Sequence, residues 1–349
     1  MAIVDIADSA ARSVAYGLLP MQTGMLFQSV LQLEKQGAGY DIEQIHIVLA
    51  ENISPPEFAK AWSLVLRRHP ALSATFRWEG PQEPQQRSES GVVVPVETVD
   101  WRGLDEAELE RRREAFLASD RARGFDLRRA PLMRVTVFRC ATDRCEVVWT
   151  VHHILVDGRS MAIVLAEAFA SYAVLRGGEP SRLGPPGPPL RECVEWLGRR
   201  AHLASSSFFE EWLRGKTAPT PLPLAEPAAR PLPHQGVGTV RRVVDERVLA
   251  AARALTQRRP QISMGTLIHA AWALVLSRLT GDQDVLFGTV RACRGGMLGG
   301  RARQTVGLLM NTLPLRVSLG EDGLVAEFLD QVRQHALDLR PHEHAVLAE

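Results

Sequence analysis

The sequence predicts an α/β protein built of two lobes, and three observations lead there. Its 349 residues exceed the usual size of a single hydrophobic core. Helix-period and strand-period patterns alternate through both halves. Two proline-rich passages, residues 177–189 and 218–233, are too rich in Pro for a helix or a central strand, and they bracket a lobe junction. The first lobe is expected over residues 1–180 and the second over residues 181–349.

In the first lobe, apolar spacing and end signals predict helices at 21–35, 56–68, 105–122 and 160–176. Apolar or β-branched runs bounded by turn residues predict strands at 43–50, 73–78, 133–140 and 145–153. In the second lobe the same reasoning places strands at 241–244, 284–289 and 312–318, with helices at 246–257 and 266–279. There is no tandem short repeat, yet two lobes of similar make-up suit a pseudo-duplicated enzyme with its site in the cleft between them.

Composition narrows the function classes. Forty-one basic residues against 40 acidic ones leave a net charge of +1, and no basic run interleaves with aromatics, so a nucleic-acid surface is not indicated. No apolar stretch approaches the ~20 residues of a membrane helix, and the first residues lack a charged-then-apolar signal pattern, so a cytoplasmic protein is expected. The four cysteines, Cys140, Cys145, Cys193 and Cys293, show no C-x-x-C spacing, which supports neither a metal site nor a disulfide framework. Only three lysines, with heavy use of Ala, Gly and Pro, suggest a GC-rich bacterial source.

The most informative stretch is Val151-His152-His153-Ile154-Leu155-Val156-Asp157-Gly158. The β-branched and aromatic run before it, from Cys145, reads as a buried strand. After it, Met161, Val164, Leu165, Ala168, Phe169 and Tyr172 form the apolar stripe of a helix. A titratable imidazole therefore stands at a strand end, just before a turn into a helix N-terminus, where free N–H groups favour developing negative charge. That is the outline of an acyl-transfer site. Strand side chains alternate, so His152 and His153 point to opposite faces and cannot serve one reaction or one metal together. His152 shares a face with Val148, Thr150 and Ile154 and reads as structural.

Other segments extend the pattern. Gly17-Leu18-Leu19-Pro20-Met21-Gln22-Thr23-Gly24-Met25-Leu26-Phe27, Arg68-His69-Pro70-Ala71-Leu72-Ser73-Ala74-Thr75-Phe76, Gly124 to Leu132, the His152 to Gly158 signature and Gly307 to Arg316 follow one another in order. With these motifs the chain resembles the condensation domains of nonribosomal peptide synthetases, members of the chloramphenicol-acetyltransferase-like superfamily. The resemblance spans nearly every segment. It implies two acetyltransferase-like lobes arranged in a V as a pseudo-dimer, with a tunnel between them, and a place in bacterial secondary metabolism such as antibiotic biosynthesis.

The implied reaction joins a donor acyl or peptidyl thioester to an acceptor aminoacyl thioester as an amide. Each substrate rides on the 4'-phosphopantetheine arm of a peptidyl carrier protein, with adjacent synthetase domains as further partners and no cofactor bound directly. The resemblance assigns catalysis to the second histidine, so His153 is the candidate that positions the amine and takes a proton. Asp157 belongs to the same motif and reads either as a second base or as a helix cap and ion-pair partner; the resemblance implies the ion pair. Gly158 offers an oxyanion N–H or simply conformational freedom. Ser160 lies past the turn, which disfavours a covalent acyl-enzyme. Asn311 and Arg316 fall where the family places tunnel residues, although a plain strand is the alternative.

Three departures from the family pattern stand out. Ser73 replaces an arginine of the second motif, leaving Arg68 or Arg77 to pair with Asp157. Arg159 occupies a position that is often aromatic, which would alter the tunnel mouth. The family continues past Glu349, so the second lobe is expected to be incomplete, with apolar surface exposed. Two other functions fit the sequence: a catalytically impaired module that recruits carrier proteins, and an acyl-CoA-dependent acyltransferase. Epimerisation ranks low, because residues 311–316 resemble the condensation form.

Overall fold

The structure is a computed structural model that describes residues 14–34, 40–80, 83–179, 184–199, 205–216, 218–222, 240–320 and 323–345. The middle of both proline-rich passages, the expected 180/181 boundary, Lys35 at the end of the first expected helix and the last four residues lie outside these. The chain divides into two compact units, one of Met1–His202 with Ala292–Asn311 and one of Leu203–Arg291 with Thr312–Glu349. The division therefore follows His202 rather than residue 180, and one stretch of the expected second lobe belongs to the first unit. Its side chains explain why: Met297, Ala302 and Leu309 are buried with Leu19, Ala71, Leu190 and Cys193.

In the first unit the order is β1 (Tyr16–Gly17), α1 (Pro20–Glu34), β2 (Ile42–Leu49), α2 (Pro55–Arg68), β3 (Ala74–Arg77), β4 (Gln85–Ser88), β5 (Val96–Asp100), α3 (Glu106–Arg123), β6 (Met133–Arg139), β7 (Cys145–His152), α4 (Gly158–Leu175) and α5 (Leu190–Gly198). The main sheet runs β2-β7-β6-β5, and β1-β4-β3 form a small second sheet. Strands β2 and β6 flank β7 antiparallel, while β5 joins β6 parallel.

Strand β7 is buried along its whole length because both faces of the sheet are covered. Val147, Trp149 and Val151 pack with Phe58, Trp62 and Val65 of α2 and with Val164 and Ala168 of α4. On the other face Val148 joins Trp101, Leu109 and Phe138. That face also carries polar side chains, and each has a partner. Thr150 donates to Asp120 at 2.6 Å, beside an Arg134–Asp120 ion pair at 2.5 Å. Glu146, fully buried, takes Arg113 at 3.0 Å and His46 at 2.8 Å.

Helices α2 and α4 are also tied by charge. Glu167 accepts from Arg68 Nε at 2.8 Å and lies 2.8 Å from His69 Nε2. Burial would push the Glu167 carboxyl up, but the hydrogen bonds from His69 and Arg68 outweigh it and hold the group below its ordinary value.

The second unit holds α6 (Ser205–Trp212), α7 (Glu246–Arg258), α8 (Met264–Thr280), most of β8 (Asp284–Ala292) and of β9 (Met310–Ser318), and α9 (Val325–Asp338), with β8 beside β9. Its core joins Ala270, Ala273 and Leu276 of α8 to Val285, Phe287, Leu313, Leu315, Val317, Leu329 and Val332. In β9 alternate residues are buried, the signature of a strand covered on one face only. The expected strand at 241–244 does not form: Val243 and Val244 are exposed, and no strand pairs with the segment among the described residues.

A depressed carboxyl contributes stability above its unfolded pKa and loses it as pH falls through the folded one. Glu167→Gln is therefore expected to cost about 1–3 kcal/mol near neutral pH. The gap to wild type should narrow below pH ~4.3. Urea unfolding across pH checks it; a gap that persists unchanged at low pH contradicts the assignment.

Candidate active site

Two adjacent histidines end in different environments. His152 is the last residue of β7, is 3% exposed, and its Nδ1 accepts from the Ile154 N–H at 3.2 Å. Burial pushes its pKa down to about 4, with a further push from His153, so the ring is neutral at neutral pH and its proton sits on Nε2. It caps the 3-10 turn His153–Leu155. His153 opens that turn: its side chain is 18% exposed, its Nδ1 is sealed without a hydrogen-bond partner among the described residues, and its Nε2 lies 3.9 Å from Glu43 Oε1.

The turn is held from beneath by an amide pair. Gln22 of α1, fully buried, donates to the Ile154 carbonyl at 3.1 Å and accepts from Gln86 at 2.8 Å, while the Leu19 N–H donates to it at 3.0 Å. Gln86 also donates to the Gly17 carbonyl at 3.0 Å, linking the small sheet to the motif turn.

Asp157 caps α4 by accepting from the Ser160 N–H at 2.9 Å. Its partner is neither Arg68 nor Arg77 but Arg294, which reaches it through two nitrogens at 2.6 and 2.9 Å. Arg68 is committed to Glu167, and Arg77 is exposed at a surface cavity with Phe76, Trp78, Glu79 and Arg128. Ser73, in place of the family arginine, donates to the Pro70 carbonyl at 2.9 Å. The Leu309 N–H adds a fourth bond to Asp157 at 2.9 Å, so both carboxylate oxygens are occupied and neither serves as a base. Ser160 is equally engaged: its buried hydroxyl donates to the Gly307 carbonyl at 2.8 Å and accepts from the Gly307 N–H at 3.0 Å and from Arg294 at 2.9 Å.

The remaining site candidates separate. Gly158 starts α4, is exposed, has no positive φ, and leaves open space where a Cβ would stand. The chain's own packing therefore does not require glycine there. Arg159 is exposed and donates to the Arg303 carbonyl at 3.2 Å. Asn311 is buried at the end of the first unit's last segment. Arg316 belongs to the second unit, where its fork grips Asp284 at 2.7 and 3.0 Å and donates to the Trp212 and Arg214 carbonyls. Those bonds make Arg316 a buttress of β9.

Three partners of the motif lie outside it in sequence. Arg294 follows Asp157 by 137 residues, Gln22 precedes Ile154 by 132, and Glu43 sits on the neighbouring strand. Gln22 alone had a local signal, as a polar residue at the start of an apolar helix within the opening motif.

Comparison with known proteins places the chain in a family. The condensation-domain family model matches residues 13–348. The chain is 34% identical over 339 residues to a component of the linear gramicidin synthase of Brevibacillus parabrevis, covering 96% of this chain and 6% of that protein. It is 27% identical over 340 residues to bacitracin synthase 1 of Bacillus licheniformis, covering 96% and 6%. The chain thus spans only a small part of the length of these relatives. Among solved structures, the first condensation domain of the CDA synthetase superposes with a TM-score of 0.73 at 20% identity, covering 95% of this chain and 77% of that one. The chain belongs to the condensation-domain family of nonribosomal peptide synthetases.

Replacing Gln22 by Leu strands the Gln86 amide, the Ile154 carbonyl and the Leu19 N–H together. The expected loss is about 2–3 kcal/mol of unfolding free energy. A loss below ~0.5 kcal/mol, typical of a surface substitution, would contradict the buttress.

Proposed function

We propose that the chain forms an amide bond between a donor acyl or peptidyl thioester and the α-amine of an acceptor aminoacyl thioester. Both are carried on the 4'-phosphopantetheine arms of carrier proteins, with neighbouring domains of a longer synthetase and a cytoplasmic setting. The observation that supports this most is the contrast within the His pair: His152 is buried as a cap, while His153 turns Nε2 toward a partly open space.

The chemistry asks little of the protein. A thioester is already activated, and an α-amine with a reference pKa near ~7.7 is partly free base at neutral pH. What remains is to hold amine and carbonyl at attack distance and to move one proton. The amine nitrogen bonds to the thioester carbon and His153 Nε2 takes its proton. Collapse then breaks the C–S bond, and the departing thiolate is protonated. Ser160, buried and hydrogen-bonded on both sides, supplies no nucleophile, which favours direct transfer over an acyl-enzyme. The open space at Gly158 leaves room for a thioester near the first N–H groups of α4, where negative charge is favoured.

An assay with two loaded carrier proteins tests the proposal. Wild type should form amide, and His153→Ala should lower the rate by about 10²–10⁴. Full activity in His153→Ala removes that imidazole from the mechanism. Carrier binding without product indicates a recruiting module, and turnover with free CoA thioesters alone indicates an acyl-CoA-dependent transferase.

A further inference from the structure

Two carboxylates stand where strand β2 begins beside the working histidine: Asp41, just before the strand, and Glu43 within it. The β2–β7 register sets Ile42 opposite His152 and Glu43 opposite Val151, so Glu43 is the diagonal neighbour of His153 on the same face of the sheet. The ladder continues one step past β7: the His153 N–H donates to the Asp41 carbonyl at 2.7 Å. Asp41 makes that bond at φ 52°, a left-handed conformation that Asp tolerates better than most residues. The backbone of β2 thus fixes where His153 stands relative to both acids.

The side chains then converge. Glu43 Oε1 lies 3.9 Å from His153 Nε2, with the glutamate side chain 45% exposed and the imidazole 18%. His153 Nδ1 is sealed from solvent, which leaves Nε2, the nitrogen facing Glu43, as the one through which a bound molecule can exchange a proton. Two acceptors at that spacing are too far apart to bond each other, yet one nitrogen can reach both at ordinary hydrogen-bond lengths of about 2.8–3.0 Å. Asp41 adds negative character: burial pushes its carboxyl up, while the attraction of His153 opposes this and the repulsion of Glu43 reinforces it. Two acids around one imidazole suit a cationic, multiply donating group.

We propose that Glu43 is a specificity residue that binds the acceptor's α-ammonium against His153 Nε2. This rests on the amide-forming reaction proposed above. An ammonium donates one N–H to Glu43 and another to Nε2. The ammonium first gives one proton up to solvent, the freed lone pair attacks the thioester carbon, Nε2 takes the second proton from the attacking nitrogen, the C–S bond breaks, and the imidazolium passes that proton to the thiolate. The balance is ammonium plus thioester giving amide, thiol and one released proton. A hydroxyl acceptor has a single proton to donate and no charge, so Glu43 gives it little.

The test compares two carrier-bound acceptors with the same side chain, one α-amino and one α-hydroxy, in wild type, Glu43→Gln and Glu43→Asp. Glu43→Gln should raise the acceptor KM for the amine about tenfold while leaving the donor KM and ester formation from the hydroxy acceptor near wild type. Glu43→Asp, which keeps the charge on a shorter stem, should recover part of the amine preference. Equal losses with both acceptors, or an unchanged amine-to-hydroxyl preference in a fully active protein, overturn the assignment of Glu43. Wild type that forms neither amide nor ester overturns the underlying reaction, and the assignment with it.

Discussion

The site depends on one desolvated ion pair. Asp157 and Arg294 are each 4% exposed at the side chain and meet through two nitrogens at 2.6 and 2.9 Å. Such a pair loses its hydration on burial, and hydrogen bonds from its surroundings offset that loss. Here the Ser160 and Leu309 N–H groups complete the carboxylate, and the Ser160 hydroxyl and the Thr305 and Gly307 carbonyls accept from the guanidinium, whose Nε is left without a partner among the described residues. The pair therefore holds Ala292–Asn311 on the N-terminus of α4 within the first unit. Gly158 and Arg159, which open that helix, take their places from the same lock.

A second constraint acts at the end of β7. Because both sheet faces are covered, the strand delivers its residues to opposite interiors, and the alternation that buries His152 turns His153 the other way. Three separate elements then stop the turn from moving: the cap from His152, the Gln22 amide on the Ile154 carbonyl and the Asp41 carbonyl on the His153 N–H. Each bond is modest alone. Together they give an imidazole with one sealed nitrogen and one accessible nitrogen, a more defined reagent than a surface histidine.

Much of this could be read from residue order. The β-branched run before His152 and the apolar stripe after Ser160 announce a buried strand and a core helix, and both form with ends shifted by a residue or two. Five ordered motifs carried the family. Side-chain pairing across long separations was less legible. A carboxylate at residue 157 demands a cation, but nothing local distinguishes Arg294 from Arg68 or Arg77, and only the path of Ala292–Asn311 decides. The same segment explains why the compact units are not continuous in sequence. The short strands β1, β4 and β5 were also not anticipated: Gln85–Ser88 has no apolar alternation, and its pairing comes from β1 and β3. Arg241 to Val244 shows the converse, a strand-like pattern without a partner among the described residues.

The claim that the Asp157–Arg294 lock organises the site is tested most directly by a double-mutant cycle on unfolding free energy with Asp157→Asn, Arg294→Gln and the pair combined. Each single substitution leaves one buried charge uncompensated and should lose about 3–5 kcal/mol. The double variant should lose less than their sum by roughly 2 kcal/mol or more. Losses that add within about 0.5 kcal/mol would mean that the two residues act independently, and would contradict the account.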